Sequence, residues 1–318
     1  MGRTVTQENP LVAIVGPTAV GKTEISICLA ERLGGEIVSA DSRLIYCGMD
    51  IGTAKPSRES RSRIPHHLID VTNPDQPWSL AIYRREALKA IDTVHQRGRL
   101  AMLVGGTGQY VTAILEGWVP PPKSGDPSLR QKLESFADVH GPEALHNQLV
   151  DIDPISAARI DYRNVRRVVR ALEIYHTTGL PFSQQRTNQP PPYRVLRIGL
   201  TLPRPELFAR IDARIDEMLD SGLLAEVEDL LERGYDPDLP AMTAIGYRQI
   251  TDHLRGSISL EEAVRQMRRT TRQFVRRQSN WFKEDDPRIH WFEVQDDVVE
   301  KVESLIRTWL RGNCFTSE

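Results

Sequence analysis

Leu11-Val12-Ala13-Ile14-Val15-Gly16-Pro17-Thr18-Ala19-Val20-Gly21-Lys22-Thr23 reads as an apolar strand, a glycine-bounded loop and the first turn of a helix. Residues 16–23 fit GxxxxGK[ST], and helical periodicity runs on from Lys22 to Leu33 before Gly34 and Gly35 stop it. That strand-loop-helix context is the one in which such a loop cradles a polyphosphate. Backbone N–H groups around Gly21 face an anion at a helix N-terminus, Lys22 adds a point charge, and Thr23 offers a hydroxyl to Mg²⁺. Gly16, Pro17, Thr18, Ala19, Val20, Gly21, Lys22 and Thr23 are therefore the candidate phosphate-binding residues.

Working outward, Glu36 to Ala40 reads as a second strand, Ser79 to Gln96 as an amphipathic helix and Leu100 to Val104 as a further short strand. The class expected is α/β, with a parallel sheet of the P-loop NTPase kind flanked by helices. Breakers cluster at Pro120-Pro121-Pro122-Lys123-Ser124-Gly125-Asp126-Pro127 and again at Pro190-Pro191-Pro192. Between them the pattern is helical (Leu129 to Val139, Pro142 to Val150, Pro154 to Arg159, Asn164 to Thr177), and Arg194 to Thr201 resumes strand character. These changes predict a discontinuous core of residues 9–122 and 194–312, a helical insertion of residues 123–193 and a mobile tail at 313–318.

Composition excludes several classes. With 318 residues, 40% hydrophobic and 26% charged, the chain reads as globular rather than disordered. Cys28, Cys47 and Cys314 show no pairing or zinc-finger spacing, which fits a reducing compartment. No apolar run approaches the roughly 20 residues that span a bilayer, and Met1 to Pro10 is too polar for a signal peptide. Met1-Gly2-Arg3-Thr4-Val5-Thr6 matches a loose myristoylation pattern without the basic cluster a stable anchor needs. A cytoplasmic protein without a membrane partner is expected. The net charge of −2 argues against a uniformly basic nucleic-acid binder, so any polyanion site must be local.

The residues after the second and third strands narrow the chemistry. Asp41-Ser42 follows Ile37-Val38-Ser39-Ala40, placing a carboxylate at the C-terminal edge of the sheet, where Asp41 would accept a proton or ligate Mg²⁺. An ATPase would end another strand in an acid, whereas Leu100 to Val104 ends in Gly105-Gly106-Thr107-Gly108. Glycines there allow backbone and the Thr107 hydroxyl close to a leaving group. A small-molecule kinase or NTPase, or an RNA-binding module with a regulatory nucleotide site, remain the alternatives at this point.

Seven segments together resemble the bacterial tRNA dimethylallyltransferases (tRNA isopentenyltransferases) over nearly the whole chain. They are GPTAVGKT at Gly16 to Thr23, SADSRLIY at Ser39 to Tyr46, MDIGTAKP at Met49 to Pro56, HHLID at His66 to Asp70, GGTGQY at Gly105 to Tyr110, AIGYRQ at Ala244 to Gln249 and RQFVRRQSNWF at Arg272 to Phe282. The resemblance implies transfer of a dimethylallyl group from dimethylallyl diphosphate to N6 of adenosine 37, beside the tRNA anticodon, with Mg²⁺ assisting. It implies Asp41 as general base, Thr107 as the hydroxyl at the bridging oxygen, and Lys22, Thr23 and Arg214 as diphosphate ligands. It also implies base contacts along Asp41, Ser42, Arg43 and Leu44 and neighbouring contacts from Gly246, Tyr247 and Arg248. Two positions depart from the family pattern: Leu44 stands where glutamine is frequent, and Gln109 where leucine is.

Arg163, Arg166, Arg167 and Arg170 fall on one face of a helix, and Arg265, Arg268, Arg269, Arg272 and Arg276 repeat that geometry near the C-terminus. Solvated faces laced with salt bridges would have the same spacing; beside the motifs above they predict phosphate contacts to an anticodon stem-loop. Other signals point to packing. The His66-His67 pair lacks a third metal ligand, Asp296-Asp297-Val298-Val299-Glu300 suits the start of a helix, and Trp281 and Trp291 suit core or edge positions. No heptad seam is present, and a monomer is expected.

Overall fold

The computed structural model describes residues 9–119, 126–185, 187–188 and 192–312. The myristoylation-like start, most of both proline clusters, Cys314 and the 313–318 tail lie outside the described residues. The chain forms two compact units, one of Met1–Leu115 with Pro192–Glu318 and one of Glu116–Pro191.

The first unit is built on a six-stranded parallel sheet in the order β3-β2-β4-β1-β7-β8. Its strands are β1 (Asn9–Val15), β2 (Gly35–Ser39), β3 (His66–His67), β4 (Leu100–Val104), β7 (Tyr193–Thr201) and β8 (Ile289–Glu293). The short strands β5 (Trp118–Val119) and β6 (Thr187–Asn188) belong to the other unit. β1 is central, pairing Leu11 with Ala101 of β4 on one side and with Val195 of β7 on the other. Alternation decides which way each strand residue faces. Val12, Ile14, Met102 and Ile198 join one core, whereas Leu11, Ala13, Val38 and Leu103 join the other. Both faces are covered, so β4 and the stretch of β1 from Leu11 to Val15 read as unbroken apolar runs, as parallel strands do, whereas β2 is buried throughout with Glu36 paired to His67 and Arg97.

On the first face pack α1 (Lys22–Leu33), α9 (Arg204–Asp220), α10 (Leu223–Glu232), α11 (Tyr247–Leu254), α12 (Leu260–Ser279) and α13 (Val298–Arg311). α3 (Leu80–Gln96) and α4 (Gly108–Leu115) cover the second, while α2 (Arg58–Arg63) is short and contributes no buried residue. Local signals set the ends. Ser79 caps α3 by accepting from the Ile82 N–H, and Ser259 caps α12, where Glu261 and Glu262 sit in the first turn. No described helix is long and apolar enough to cross a membrane.

The second unit holds α5 (Pro127–His140), α6 (Pro142–Ile152), α7 (Pro154–Ala157) and α8 (Val165–Thr178) around Leu133, Leu145, Leu149, Val168 and Leu172. It starts ahead of the first proline cluster because β5 pairs antiparallel with β6. Asp153 is buried and fully used: it accepts from the N–H and hydroxyl of both Ser156 and Ser183. Glu173, with no exposed surface, is neutralised by Arg130 and Arg170.

Candidate functional site

The phosphate loop, Asp41 and Thr107 all leave the C-terminal edge of the sheet, where an open α/β sheet binds ligands. β1 delivers the loop Gly16–Thr23, β2 delivers Asp41, and β4 delivers Gly105 to Thr107. The β2 and β4 ends touch closely: a Cβ on Gly105 would lie 2.2 Å from the Ala40 carbonyl oxygen, so only glycine fits.

Lys22 folds over the loop, its ammonium donating to the carbonyls of Gly16 at 3.0 Å and Pro17 at 2.7 Å. Burial lowers its pKa to about 8, with Asp41 opposing that shift and Arg214 adding to it. Arg214, from α9, is likewise pulled down by burial and supported by Asp41. Asp41 is thus the anion to which two enclosed cations respond. Its Oδ1 accepts from the Arg43 N–H at 2.8 Å, while the Arg43 guanidinium donates to the Pro240 carbonyl at 2.7 Å. Thr107 stands on the neighbouring strand end. Its Oγ1 accepts from the Ser42 N–H at 3.0 Å and donates to the Ser42 hydroxyl at 3.3 Å. Below them Tyr83 and Tyr110 stack at 3.7 Å, and the Tyr83 hydroxyl donates to the Ser39 carbonyl. Burial raises the pKa of both phenols, and Asp41 raises it further.

The structure therefore brings together Gly16–Thr23, Asp41, Ser42, Thr107 and Arg214. Thr23 is exposed at the start of α1, and Leu44 is half-buried with its carbonyl accepting from the Asp70 N–H. Gln109 is exposed beyond Thr107. Among the AIGYRQ residues, Arg248 is exposed and Gly246 is buried. Tyr247 is placed differently from the expected ligand contact. It has no exposed surface, and its hydroxyl donates to Glu226 Oε1 at 2.6 Å, so its side chain presents nothing to RNA. The same carboxylate accepts from the backbone N–H groups of Asp50, Ile51 and Gly52, fastening the MDIGTAKP loop.

His66 and His67 are occupied as strand residues, by the Ile64 carbonyl and by Glu36. No group of three or more His, Cys, Asp or Glu suited to a metal ion occurs among the described residues. On α12, Arg268 pairs with Asp216 and Arg272 with Asp212 across an open groove of about 1030 Å³ against α9. Arg163 does not join the helix face expected of it: Asn164 is the N-cap of α8, and Arg163, one residue ahead of that cap, lies over Tyr162. On α8 itself Arg166 and Arg167 are exposed and Arg170 is held by Glu173.

One residue of this site lies inside the RQFVRRQSNWF segment but is not marked by its residue type. Gln278 is buried near the end of α12, accepts from the Thr18 N–H at 2.9 Å and donates to the Gly106 carbonyl at 3.0 Å. The signal available in sequence was a glutamine on the helix face that also carries Ala263 and Met267, both buried.

Fold and site define a P-loop protein whose phosphate cradle opens onto a carboxylate and a hydroxyl in place of a strand-end acid. The IPP transferase family model matches residues 44–285, and the isopentenyl transferase model matches residues 9–65. The tRNA dimethylallyltransferase of Roseiflexus castenholzii is 51% identical, covering 94% of this chain and 97% of its own. That of Thermomicrobium roseum is 49% identical, covering 95% and 93%. Among solved structures, the full-length tRNA isopentenylpyrophosphate transferase of Bacillus halodurans superposes with a TM-score of 0.71 at 42% identity, covering 96% of this chain and 97% of the other. A eukaryotic dimethylallyltransferase acting on tRNA reaches a TM-score of 0.81 at 27% identity, covering 96% and 80%. This chain belongs to the IPP transferase family.

Proposed function

We propose that this chain transfers the dimethylallyl group of dimethylallyl diphosphate to N6 of adenosine 37 in tRNA, releasing diphosphate. The observation that carries the reading is the Asp41, Thr107, Lys22 and Arg214 constellation on three adjacent strand ends and α9, with β4 ending in glycines where an ATPase needs an acid.

The loop N–H groups, Lys22 and Arg214 take the diphosphate. The C1–O bond of the allylic substrate breaks as N6 of adenine bonds to C1, and the charge growing on the departing oxygens is met by these cations and by the Thr107 hydroxyl. The amine proton passes to Asp41, whose carboxylate is oriented by the Arg43 N–H. Holding an amine of low nucleophilicity in line with C1 supplies much of the acceleration.

Mg²⁺ fits this donor set in one way. Thr23 and Asp41 offer hard oxygens but too few for a complete shell, so the ion would ride in with the diphosphate and share those two side chains. When bound it adds positive charge at the leaving group.

Arg166, Arg167 and Arg170 on α8, with Arg163 just ahead of its cap and the α12 stripe, supply phosphate contacts, and a loop nucleotide leaves its stack more readily than a base in duplex. Asp41, Ser42, Arg43 and Leu44 line the base, with Gly246 and Arg248 beside them. A tRNA substrate places the enzyme in the cytoplasm, and one chain carries every group, so it acts as a monomer.

The test is mass spectrometry of an anticodon stem-loop incubated with dimethylallyl diphosphate, Mg²⁺ and the protein. Gain of one dimethylallyl group in place of a proton, without ATP, is the expected result. Transfer of phosphate from ATP, or RNA binding with no mass change, would overturn the proposal in favour of a kinase or a sensor.

A further inference from the structure

We propose that Gln278 is a positioning residue that holds the phosphate loop and the Thr107 loop in register, so that the cradle keeps its shape when Lys22 turns to the diphosphate. This rests on the reading of the site as a diphosphate-releasing transferase.

Two peptide planes meet at Gln278. A peptide unit is rigid, so fixing its C=O and its N–H fixes its orientation. In the Pro17–Thr18 unit, the Pro17 carbonyl accepts from Lys22 Nζ at 2.7 Å and the Thr18 N–H donates to Gln278 Oε1 at 2.9 Å. In the Gly106–Thr107 unit, the Gly106 carbonyl accepts from Gln278 Nε2 at 3.0 Å and the Thr107 N–H donates to the Ala40 carbonyl at 3.1 Å. One side-chain amide therefore pins one end of each unit, and its two ends have opposite hydrogen-bonding character, as the two partners require.

The other ends differ in permanence. The Thr107 N–H is tied to backbone, which stays. The Pro17 carbonyl is tied to the Lys22 ammonium, which must leave it to reach a phosphate. At that moment Gln278 is the remaining restraint on the Pro17–Thr18 plane, and a rotated plane would re-aim the loop N–H groups. Gln278 is 4% exposed, so water is a poor substitute partner. The fit is close as well. A Cβ on Gly106 would stand 2.3 Å from Gln278 Nε2 and 3.3 Å from the Gly16 carbonyl oxygen, so the amide fills the space between the two loops.

That geometry makes a double-mutant cycle decisive. Gly106→Ala pushes the amide out, and Gln278→Ala removes it while making room for the new methyl. Both single variants and the double variant are measured for kcat, for KM of each substrate, for inorganic diphosphate affinity by calorimetry and for thermal midpoint. The expected result is a kcat about tenfold to a hundredfold lower in each single variant, diphosphate binding weakened several-fold, and KM for RNA unchanged within about twofold. The double variant should be no worse than either single one. Losses that multiply in the double variant, or a lowered midpoint with kcat and diphosphate affinity intact, would overturn the proposal. If wild type binds diphosphate but transfers no dimethylallyl group, the transferase reading fails while the diphosphate cycle still decides the role of Gln278.

Discussion

The core site and the helical unit both present positive charge suited to a polyanion, and they keep it in opposite states. In the core, Lys22 and Arg214 are partly enclosed, their charged forms disfavoured by desolvation and balanced against Asp41. On α8, Arg166 and Arg167 stand in solvent. α12 lies between these extremes, because acids of α9 already neutralise Arg268 and Arg272. Enclosed charge is costly to hold and strong in effect, so it recognises a particular group at a particular place. Exposed charge is cheap and screened, so it gathers a polyanion without choosing its sequence.

The largest expected effect lies at the enclosed anion. Asp41→Asn should lower kcat for dimethylallyl transfer by about 10²–10⁴-fold with RNA affinity retained, as loss of a general base does; turnover near wild type would remove Asp41 from that role. Next comes Lys22, whose pKa of about 8 makes it cationic below that pH and neutral above. Its contribution to diphosphate binding should fall about tenfold between pH 7 and pH 9. Lys22→Arg, charged throughout, should lose that fall, and a wild-type profile identical to the arginine variant would show that the amine is not desolvated. Replacing Arg166 and Arg167 together by alanine should weaken tRNA binding a few-fold at physiological salt. It should also reduce the slope of log affinity against log salt by roughly 1.4–1.8. An unchanged slope would mean that α8 meets no phosphate. The smallest effect is expected at Asp212→Asn. Freeing Arg272 should raise RNA affinity by about twofold, and a decrease would assign Asp212 to aligning the arginine instead.

The sequence carries the fold where the signal is local. β1, the loop and α1 are contiguous, and the apolar run of β4 announces a strand covered on both faces, as Ile37-Val38 does more briefly in β2. β3 is two residues long and β8, at the sheet edge, has only half-buried and exposed positions, so neither stands out as a buried run. At the site, Gly16–Thr23, Asp41 and Thr107 are legible because each ends a recognisable strand. Gln278 and Glu226 are not, since their partners lie 260 and 172 positions away for Gln278 and 176 for Glu226. The AIGYRQ segment shows the converse error. A tyrosine between Gly246 and Arg248 looks available to a ligand, but packing turns its ring inward and only its hydroxyl finds a partner, on α10.

The pairing of β1 with β7 bears on how the chain is made. As synthesis proceeds from the N-terminus, β1 emerges early and gains β4 as a neighbour, but its other edge has no partner until Tyr193–Thr201 has left the ribosome. Glu116–Pro191 is contiguous, has a core of its own and emerges in between. The expected order is thus a helical unit that folds while the sheet of the other unit is half-built, with an apolar edge awaiting closure and open to chaperones or to other nascent chains. Nascent chains halted so that Tyr193 has not yet left the ribosome but α8 has should show protease-resistant α5–α8 beside a cleavable N-terminal segment; protection of both would mean that the sheet does not wait for β7.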